Sequence, residues 1–157
     1  MSPEIRLKPI GLVHSPRKEA LDDHWGKVIS TIEVDPDQFT PESLLGLDAF
    51  SHIEVVYFFH GVPENKIETS ARHPRNRSDW PKVGIFAQRG KNRPNRIGLS
   101  ICRLLGVEGL TIKVEGLDAI EGTPVLDIKP HMKEFAPRGV VTQPSWSSEL
   151  MADYYAD

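Results

Sequence analysis

Alternation of apolar and polar residues runs along much of the chain. The segment KVISTIEV, residues 27–34, places its even-numbered residues on one face of an extended chain and its odd-numbered residues on the other. Six further segments show comparable patterns, and several are rich in the β-branched and aromatic residues that suit a pleated sheet. They are residues 5–14, 52–60, 82–87, 97–105, 110–117 and 123–129. These seven segments predict strands.

Helices have little room in this sequence. Its 13 prolines disfavour long helices, and only residues 41–47 and 147–156 have a helical character. We therefore predict a mainly β fold, a closed or strongly coiled β-barrel with short peripheral helices. A length of 157 residues fits one domain, so residues 1–157 are predicted to form a single unit.

Composition excludes several classes of protein. The N-terminus mixes charges early, and no segment approaches the ~20 apolar residues of a membrane span, so a cytosolic protein without a membrane partner is expected. The single cysteine, Cys102, has no partner for a disulfide and is predicted to be a packed core thiol. Six scattered histidines form no zinc motif, so no metal is expected, and no Walker or Rossmann signature is present.

Positive charge is concentrated in one part of the chain. Residues 72–103 hold nine Lys and Arg against one acid, Asp79, in a chain whose formal net charge is −3. A basic block within an acidic protein indicates a site for anions, and arginine forks suit phosphate and carboxylate groups. The alternative is that the block pairs with acidic patches of its own chain or of a second subunit. Composition leaves both interpretations open.

The segment 52–60 ends in a histidine followed by a glycine. His60 and Gly61 stand at a predicted strand end, where glycine lets backbone approach a ligand closely. They could mark the rim of a pocket, although spacing alone favours a solvated histidine.

The segment 117–130 places two carboxylates, Glu121 and Asp127, around Gly-Thr-Pro. That combination suits a tight turn that presents backbone groups and a hydroxyl to a ligand. In the strand that follows, Leu126 and Ile128 are predicted to face inward and Asp127 outward with Lys129. A simple surface ion pair would give the same pattern.

Several motifs together resemble the TsaA-like (TrmO/YaeB) family, and they occur in the family's order. They are IGLVHSP (10–16), LLGLDAFSHIEVVYFFH (44–60), VGIFAQRGKNRPNRIGLS (83–100), LLGVEG (104–109) and GLDAIEGTPVLDIKP (116–130). The resemblance implies a β-barrel methyltransferase that uses S-adenosylmethionine. The family methylates the N(6) nitrogen of threonylcarbamoyladenosine next to the anticodon of certain tRNAs, and the cofactor is expected near the subunit interface of a homodimer.

Carried over position by position, the resemblance implies a set of cofactor contacts. They are His60, Gly61, Arg89, Arg93, Glu121, Gly122, Thr123 and Pro124, with Trp25 and Gly26 as weaker candidates. Arg89 is expected to pair with the cofactor carboxylate. Asp127 is the candidate base that takes the proton from the acceptor nitrogen. The arginines expected to hold tRNA phosphates are Arg72, Arg75, Arg77 and Arg96.

Four departures from the family pattern leave the methyl acceptor open. Arg96 stands where relatives commonly have proline, Glu121 where aspartate is usual, and His131 where tyrosine often follows. The chain also lacks the C-terminal extension of longer bacterial members. The alternatives are a small-molecule or other nucleoside acceptor on the same fold, and a module that senses S-adenosylmethionine or binds RNA without turnover.

Overall fold

The computed structural model describes residues 2–157 and contains mainly strands. The strands are β1 (Gly11–His14), β2 (Ile29–Val34), β3 (His52–Phe58), β4 (Ala71–Arg72), β5 (Val83–Gly84), β6 (Ile97–Glu108), β7 (Thr111–Glu115) and β8 (Pro124–Pro130). One α-helix, α1 (Ser145–Leu150), lies near the C-terminus. Short 3-10 helices cover Pro41–Leu44, Leu47–Ala49, Glu64–Lys66, Pro74–Asn76, Ile85–Ala87, Pro94–Arg96 and Lys133–Phe135.

Six of the strands close into a barrel in the order β1-β2-β7-β6-β3-β8, and every neighbouring pair is antiparallel. The predicted closed β-barrel with short helices is therefore confirmed. Strands β4 and β5 form a separate two-stranded sheet. Residues 82–87 were predicted to be one strand, and that prediction was wrong beyond Gly84. The chain turns there, because the Gln88 amide N–H bonds back to the Ile85 carbonyl.

Inward-facing residues of the barrel strands build the core. In β2 the buried residues are Ser30, Ile32 and Val34, as the alternation predicts, and in β3 every second residue from Ile53 to Tyr57 is buried. A half-buried strand carries a period of two, so both faces could be read directly from the sequence.

Strand β8 departs from the predicted alternation at one point. Val56 pairs with Asp127, whereas Tyr57 pairs with Val125, so Leu126 is an extra residue in a β-bulge. Val125 is fully buried and Ile128 packs against the core. The prediction that Leu126 faces inward with Ile128 was therefore wrong for Leu126.

One end of the barrel gathers several of the site residues that the sequence predicts, and we call it the mouth. Strand β3 ends there beside the starts of β6 and β8, because Phe58 pairs with Ile97 and Tyr57 with Val125. Residues 116–123 connect β7 to β8 across the mouth. Asp118 in this segment contacts Ser100 of β6 and Gly122 contacts Val13 of β1, and these two strands lie on opposite sides of the six-stranded barrel. Leu117 and Ala119 in this crossing segment are buried and close the core.

The C-terminal segment, residues 145–157, packs against the loop that precedes β2. The amides of His24 and Trp25 donate to the carbonyls of Asp153 and Tyr154, at 3.0 and 2.8 Å. The Trp80 indole N–H donates to Glu149 at 2.9 Å. None of the helices within residues 2–157 has the length and apolar character needed to cross a membrane.

Candidate functional site at the barrel mouth

His60 and the turn before β8 meet at the mouth. Gly122 has a φ of +77°, and a Cβ atom built on it would lie 3.9 Å from Nε2 of His60. A side chain at position 122 would thus be strained and would stand against the imidazole. Gly61, beside His60, has no atom within 4 Å of its corresponding Cβ position. Two glycines therefore leave backbone open on either side of an exposed histidine.

The Glu121–Pro124 turn is fastened to β1 and the residues after it. The Gly122 amide donates to the Val13 carbonyl at 2.8 Å. The Glu121 carboxylate accepts from the Ser15 amide at 2.7 Å and contacts Nδ1 of His14 at 3.1 Å. These two contacts, the Ser15 N–H first, lower the pKa of Glu121.

The hydroxyl of the turn points inward. Thr123 is buried, and its Oγ1 donates to the Ile120 carbonyl at 2.7 Å. The sequence led us to expect that this hydroxyl faces a ligand, and the structure instead uses it to close the turn. What the turn offers at the mouth is its backbone.

Arg89 extends from the loop before β6. One of its terminal nitrogens donates to the Leu99 carbonyl at 2.7 Å. A guanidinium has five N–H donors, and among residues 2–157 no carboxylate forms an ion pair with Arg89. Its neighbour Arg93 has a different role, since it donates to the carbonyls of Gln88 and Gly90 and so holds the loop in shape.

Trp25 and Gly26 lie in the loop before β2 and contact the C-terminal segment. The indole of Trp25 is buried under the guanidinium of Arg17, which lies 3.8 Å from the ring centroid. A Cβ atom on Gly26 would lie 2.0 Å from the carbonyl oxygen of Tyr155, so only glycine fits there. Both residues thus pack the C-terminal segment against the start of β2.

Asp127 lies on the outer face of β8, next to Val56 of β3, which in turn pairs with Leu99 of β6. This row leads across three strands to the carbonyl that Arg89 contacts. The carboxylate of Asp127 is 3.2 Å from Nζ of Lys129, and its side chain is 49% exposed. The surface ion pair that the sequence allowed is therefore present.

The four arginines predicted to hold RNA phosphates differ in how they are engaged. Arg75 makes two hydrogen bonds to Asp23, at 2.9 and 3.2 Å, and Arg77 pairs with Asp79 and stacks over the Trp80 ring. Arg75 and Arg77 are thus paired with acidic residues of their own chain, which is the alternative interpretation of the basic block. The Nε atom of Arg72 is buried and has no hydrogen-bond partner among the described residues.

Arg96 stands where relatives commonly have proline. It donates to the Val62 carbonyl at 2.7 Å and lies over the ring of Phe58. Its φ is +50°, a value that proline, fixed near −65°, cannot adopt. The departure from the family pattern is therefore coupled to a left-handed turn that starts β6.

Sequence reasoning missed Asp118, which lies in the crossing segment. Its carboxylate accepts hydrogen bonds from the hydroxyls of Tyr57, Ser100 and Tyr154. Burial and the nearby carboxylate raise the pKa of both tyrosines. The available signal was its place in the motif GLDAIEGTP.

Cys102 lies in the core nearby, and burial raises the pKa of its thiol to about 12, in agreement with an inert core thiol.

Comparison with known proteins adds to this geometry. Residues 13–136 match the family described as the tRNA-methyltransferase O N-terminal domain. The chain is 36% identical to a probable S-adenosyl-L-methionine-binding protein of Methanothermobacter thermautotrophicus, over 87% of this chain and 96% of the relative. It is 41% identical to the human tRNA (adenine(37)-N6)-methyltransferase, over 63% of this chain and 22% of the human protein.

The fold is also similar to a solved structure. The crystal structure of TrmO from Pseudomonas aeruginosa superimposes with a TM-score of 0.75 and 28% identity, covering 93% of this chain and 63% of that chain. The chain thus spans less than two thirds of the TrmO protein and nearly the whole length of the archaeal relative.

Proposed function

The chain belongs to the tRNA-methyltransferase O N-terminal domain family, and from this premise we propose that it is an S-adenosylmethionine-dependent methyltransferase acting on tRNA. The acceptor is the N(6) nitrogen of threonylcarbamoyladenosine beside the anticodon. Relatives named as tRNA (adenine(37)-N6)-methyltransferases support this choice. The observation that carries the proposal is that the His60 imidazole and Gly122 are neighbours at the barrel mouth, where the Arg89 loop also lies.

The residues at the mouth suit a sulfonium nucleoside with an amino-acid end. Arg89 retains guanidinium N–H donors that can form a bidentate pair with the cofactor carboxylate. Gly61 and Gly122 leave backbone that an adenosine group can approach closely, and His60 lies between them. When bound, the cofactor supplies an electrophilic methyl group on its positive sulfur.

The chain contributes chiefly alignment of the two reactants. Fixing nucleophile, carbon and leaving sulfur in one geometry can supply roughly 7 kcal/mol or more of rate acceleration. A carbamoylated exocyclic nitrogen is a poor nucleophile until its proton leaves, so a proton acceptor is needed. Asp127 is the proposed acceptor, because its half-exposed carboxylate lies on the strand that follows the Glu121–Pro124 turn. Lys129, 3.2 Å away, forms an ion pair with that carboxylate.

Contacts to tRNA are assigned to the basic block, with different roles for its arginines. Arg77 is the candidate for direct phosphate contact, because 53% of its side chain is exposed. Arg75 and Arg96 are mostly covered, at 22% and 20%, and shape the loops that face the tRNA. Arg72 remains a candidate for binding tRNA because it belongs to the basic block.

We further propose a homodimer that acts in the cytoplasm, where its tRNA substrate is found, with residues 1–157 folding as one TsaA-like domain. The outer surface of β3 and β6 carries apolar side chains, which we call the apolar face. It consists of the exposed residues Ile97, Leu99 and Ile101 of β6 and the half-buried residues Val56 and Phe58 of β3. Exposed apolar clusters mark interaction surfaces. Since Leu99 also contacts Arg89, a second copy seated on this face would border the cofactor site.

The test combines cofactor binding with product analysis. We expect the purified chain to bind S-adenosylmethionine in titration calorimetry and to methylate tRNA from cells that lack the gene, detected by mass spectrometry of the nucleosides. Arg89→Ala should weaken cofactor binding by about tenfold or more, because a hydrogen-bonded charge loses its partner. Lys113→Ala, which removes an exposed cation on β7, serves as the matched control.

The outcomes separate the proposed activities. Cofactor binding with no methylated nucleoside would contradict the tRNA acceptor and leave a binding module. Equal binding by the Arg89→Ala variant and the wild type would remove Arg89 from the cofactor site.

A further inference from the structure

Asp118 connects the elements that carry the proposed cofactor site. Its Oδ1 atom accepts from Tyr57 on β3 at 3.1 Å and from Ser100 on β6, and its Oδ2 atom accepts from Tyr154 in the C-terminal segment. The Tyr57 hydroxyl also lies 3.2 Å from the Asp118 carbonyl oxygen. One carboxylate at the mouth thus binds three hydroxyl groups from three parts of the chain.

Each partner of Asp118 is close in sequence to a proposed site residue. Tyr57 precedes His60 by three positions, and Ser100 follows the residue whose carbonyl contacts Arg89. Asp118 itself precedes Glu121 by three positions. The backbone of Tyr154 accepts from Trp25, so the fourth segment, Trp25–Gly26, is connected as well.

We infer that Asp118 is a positioning residue that holds these four segments in the geometry needed for cofactor binding, and that Tyr154 makes the C-terminal segment part of that arrangement. This inference rests on the proposed function. A partly buried carboxylate needs its hydrogen-bond donors, so loss of one hydroxyl changes how the other two are held. The carboxylate of Asp118 is occupied by hydroxyl groups of the chain itself, so it does not need to contact the cofactor. Loss of a hydroxyl would instead change cofactor binding by displacing the backbone of the mouth.

The experiment compares four variants with the wild type, two that test the inference and two controls. Tyr154→Phe removes one hydroxyl and keeps the ring, and Asp118→Asn removes the charge. Tyr155→Phe is the matched control, because the Tyr155 hydroxyl makes no hydrogen bond within residues 2–157 while its ring packs edge-on against Tyr154. Calorimetry with S-adenosylmethionine gives the dissociation constant, and thermal melting gives the stability.

We expect Tyr154→Phe to weaken cofactor binding by roughly tenfold and Asp118→Asn by more, because small displacements in a site built for alignment are costly. A core variant, Ile112→Val on β7, corrects for stability alone. It should lower the melting temperature with an unchanged dissociation constant. A purely structural role for Tyr154 would give the same pattern as Ile112→Val and would overturn the inference.

Hydrogen exchange without cofactor provides a second measurement. The amides of His24 and Trp25 donate to the C-terminal segment, so they should exchange faster in Tyr154→Phe than in Tyr155→Phe, as should the Gly122 amide. Equal exchange rates in both variants would contradict the proposed connection between the Tyr154 hydroxyl and the loops of the mouth. This outcome would not depend on the identity of the ligand, because the exchange is measured without cofactor. If the wild type binds the cofactor and Tyr154→Phe binds it equally well, only this inference fails. If the wild type binds none, the proposed function fails, and the inference fails with it.

Discussion

Nδ1 of His14, at the end of β1, lies 3.1 Å from Oε1 of Glu121 in the turn before β8. The other ring nitrogen, Nε2, lies 2.8 Å from Oε2 of Glu33 on β2. One imidazole therefore bridges two carboxylates, and through Glu121 it fastens the turn that lies beside His60. Hydrogen bonds to Glu33 and then to Glu121 raise the pKa of His14 above its usual 6.5.

The bridge predicts a pH dependence of stability. Because the folded-state pKa of His14 is raised, the bridge stabilises the fold fully below about pH 6.5 and loses this contribution as the pH rises through the raised pKa. The difference in melting temperature between the wild type and His14→Gln should therefore be larger at about pH 6 than at about pH 9. Glu33→Gln, which removes the stronger partner, should behave similarly. A difference that is the same at both pH values would contradict the bridge.

A second boundary lies at acid pH. The pKa of Glu121 is lowered from 4.5, so its contribution is present above about pH 4.5 and is lost as the pH falls through the lowered value. The stabilising effect of the pair is thus greatest between these two limits. Melting curves at about pH 3 should show less difference between the wild type and His14→Gln than curves at about pH 6.

The strands of the barrel could be predicted from local pattern because burial of one face imposes a period of two. This held for β2 and β3, where one face packs on the core and the other is exposed or half-buried. It failed in β8, because the bulge at Leu126 changes the inward-facing set partway along the strand. The path of residues 116–123 across the mouth could not be predicted, since nothing local specifies which strands a loop will bridge.

The candidate site was only partly accessible to sequence reasoning for the same reason. The motifs indicated the strand ends that carry His60 and the Glu121–Pro124 turn, which the fold places together. The partners of Asp118 are 61, 18 and 36 residues away in the chain, so no spacing rule connects them. Likewise, the sequence could not show that Arg75 pairs with Asp23, because the two residues are 52 positions apart in the chain.

Arg75 and Arg77 should respond differently to substitution. Arg75→Ala removes two hydrogen bonds to a carboxylate that is mostly covered, and it should lower the free energy of unfolding by about 2 kcal/mol. Arg77→Ala should change stability little, because its ion pair with Asp79 is exposed. It should reduce the slope of log tRNA affinity against log salt concentration by about 1, the value for the loss of one phosphate contact.

Chemical denaturation and filter binding at several salt concentrations measure the two effects. Lys113→Ala is the control for loss of a positive charge at a distance from the basic block. An unchanged salt slope in Arg77→Ala would assign phosphate binding to other cations of the block.

Gly26 should be sensitive to the smallest enlargement. A Cβ atom there would lie 2.0 Å from the Tyr155 carbonyl oxygen, so Gly26→Ala must displace the C-terminal segment and weaken the Trp25–Tyr154 hydrogen bond. We expect a loss of about 2 kcal/mol in the free energy of unfolding. Gly106→Ala, whose Cβ would have no neighbour within 4 Å, should cost much less. Equal losses in the two variants would show that close packing against Tyr155 is not the cause.

The apolar face can be tested with a pair of matched lysine substitutions. Ile101 on β6 is 48% exposed and pairs with Glu54 of β3, and Leu12 on β1 is 45% exposed and pairs with Glu33 of β2. A lysine at either position can therefore contact a glutamate on the neighbouring strand, which keeps the effects on the fold comparable. Only Ile101 lies on the proposed dimer surface.

Sedimentation velocity should therefore show a dimer for the wild type and for Leu12→Lys, and a monomer for Ile101→Lys. A lysine at position 101 would have to lose its hydration on burial between the subunits, and this desolvation cost exceeds what an ion pair with Glu54 returns. If the second copy also borders the cofactor site, the monomeric variant should bind S-adenosylmethionine more weakly while its melting temperature stays close to that of Leu12→Lys. A dimer that persists in Ile101→Lys would place the subunit contact elsewhere on the barrel. A wild-type monomer would reject the dimer altogether, and the mouth of a single barrel would then have to supply every cofactor contact.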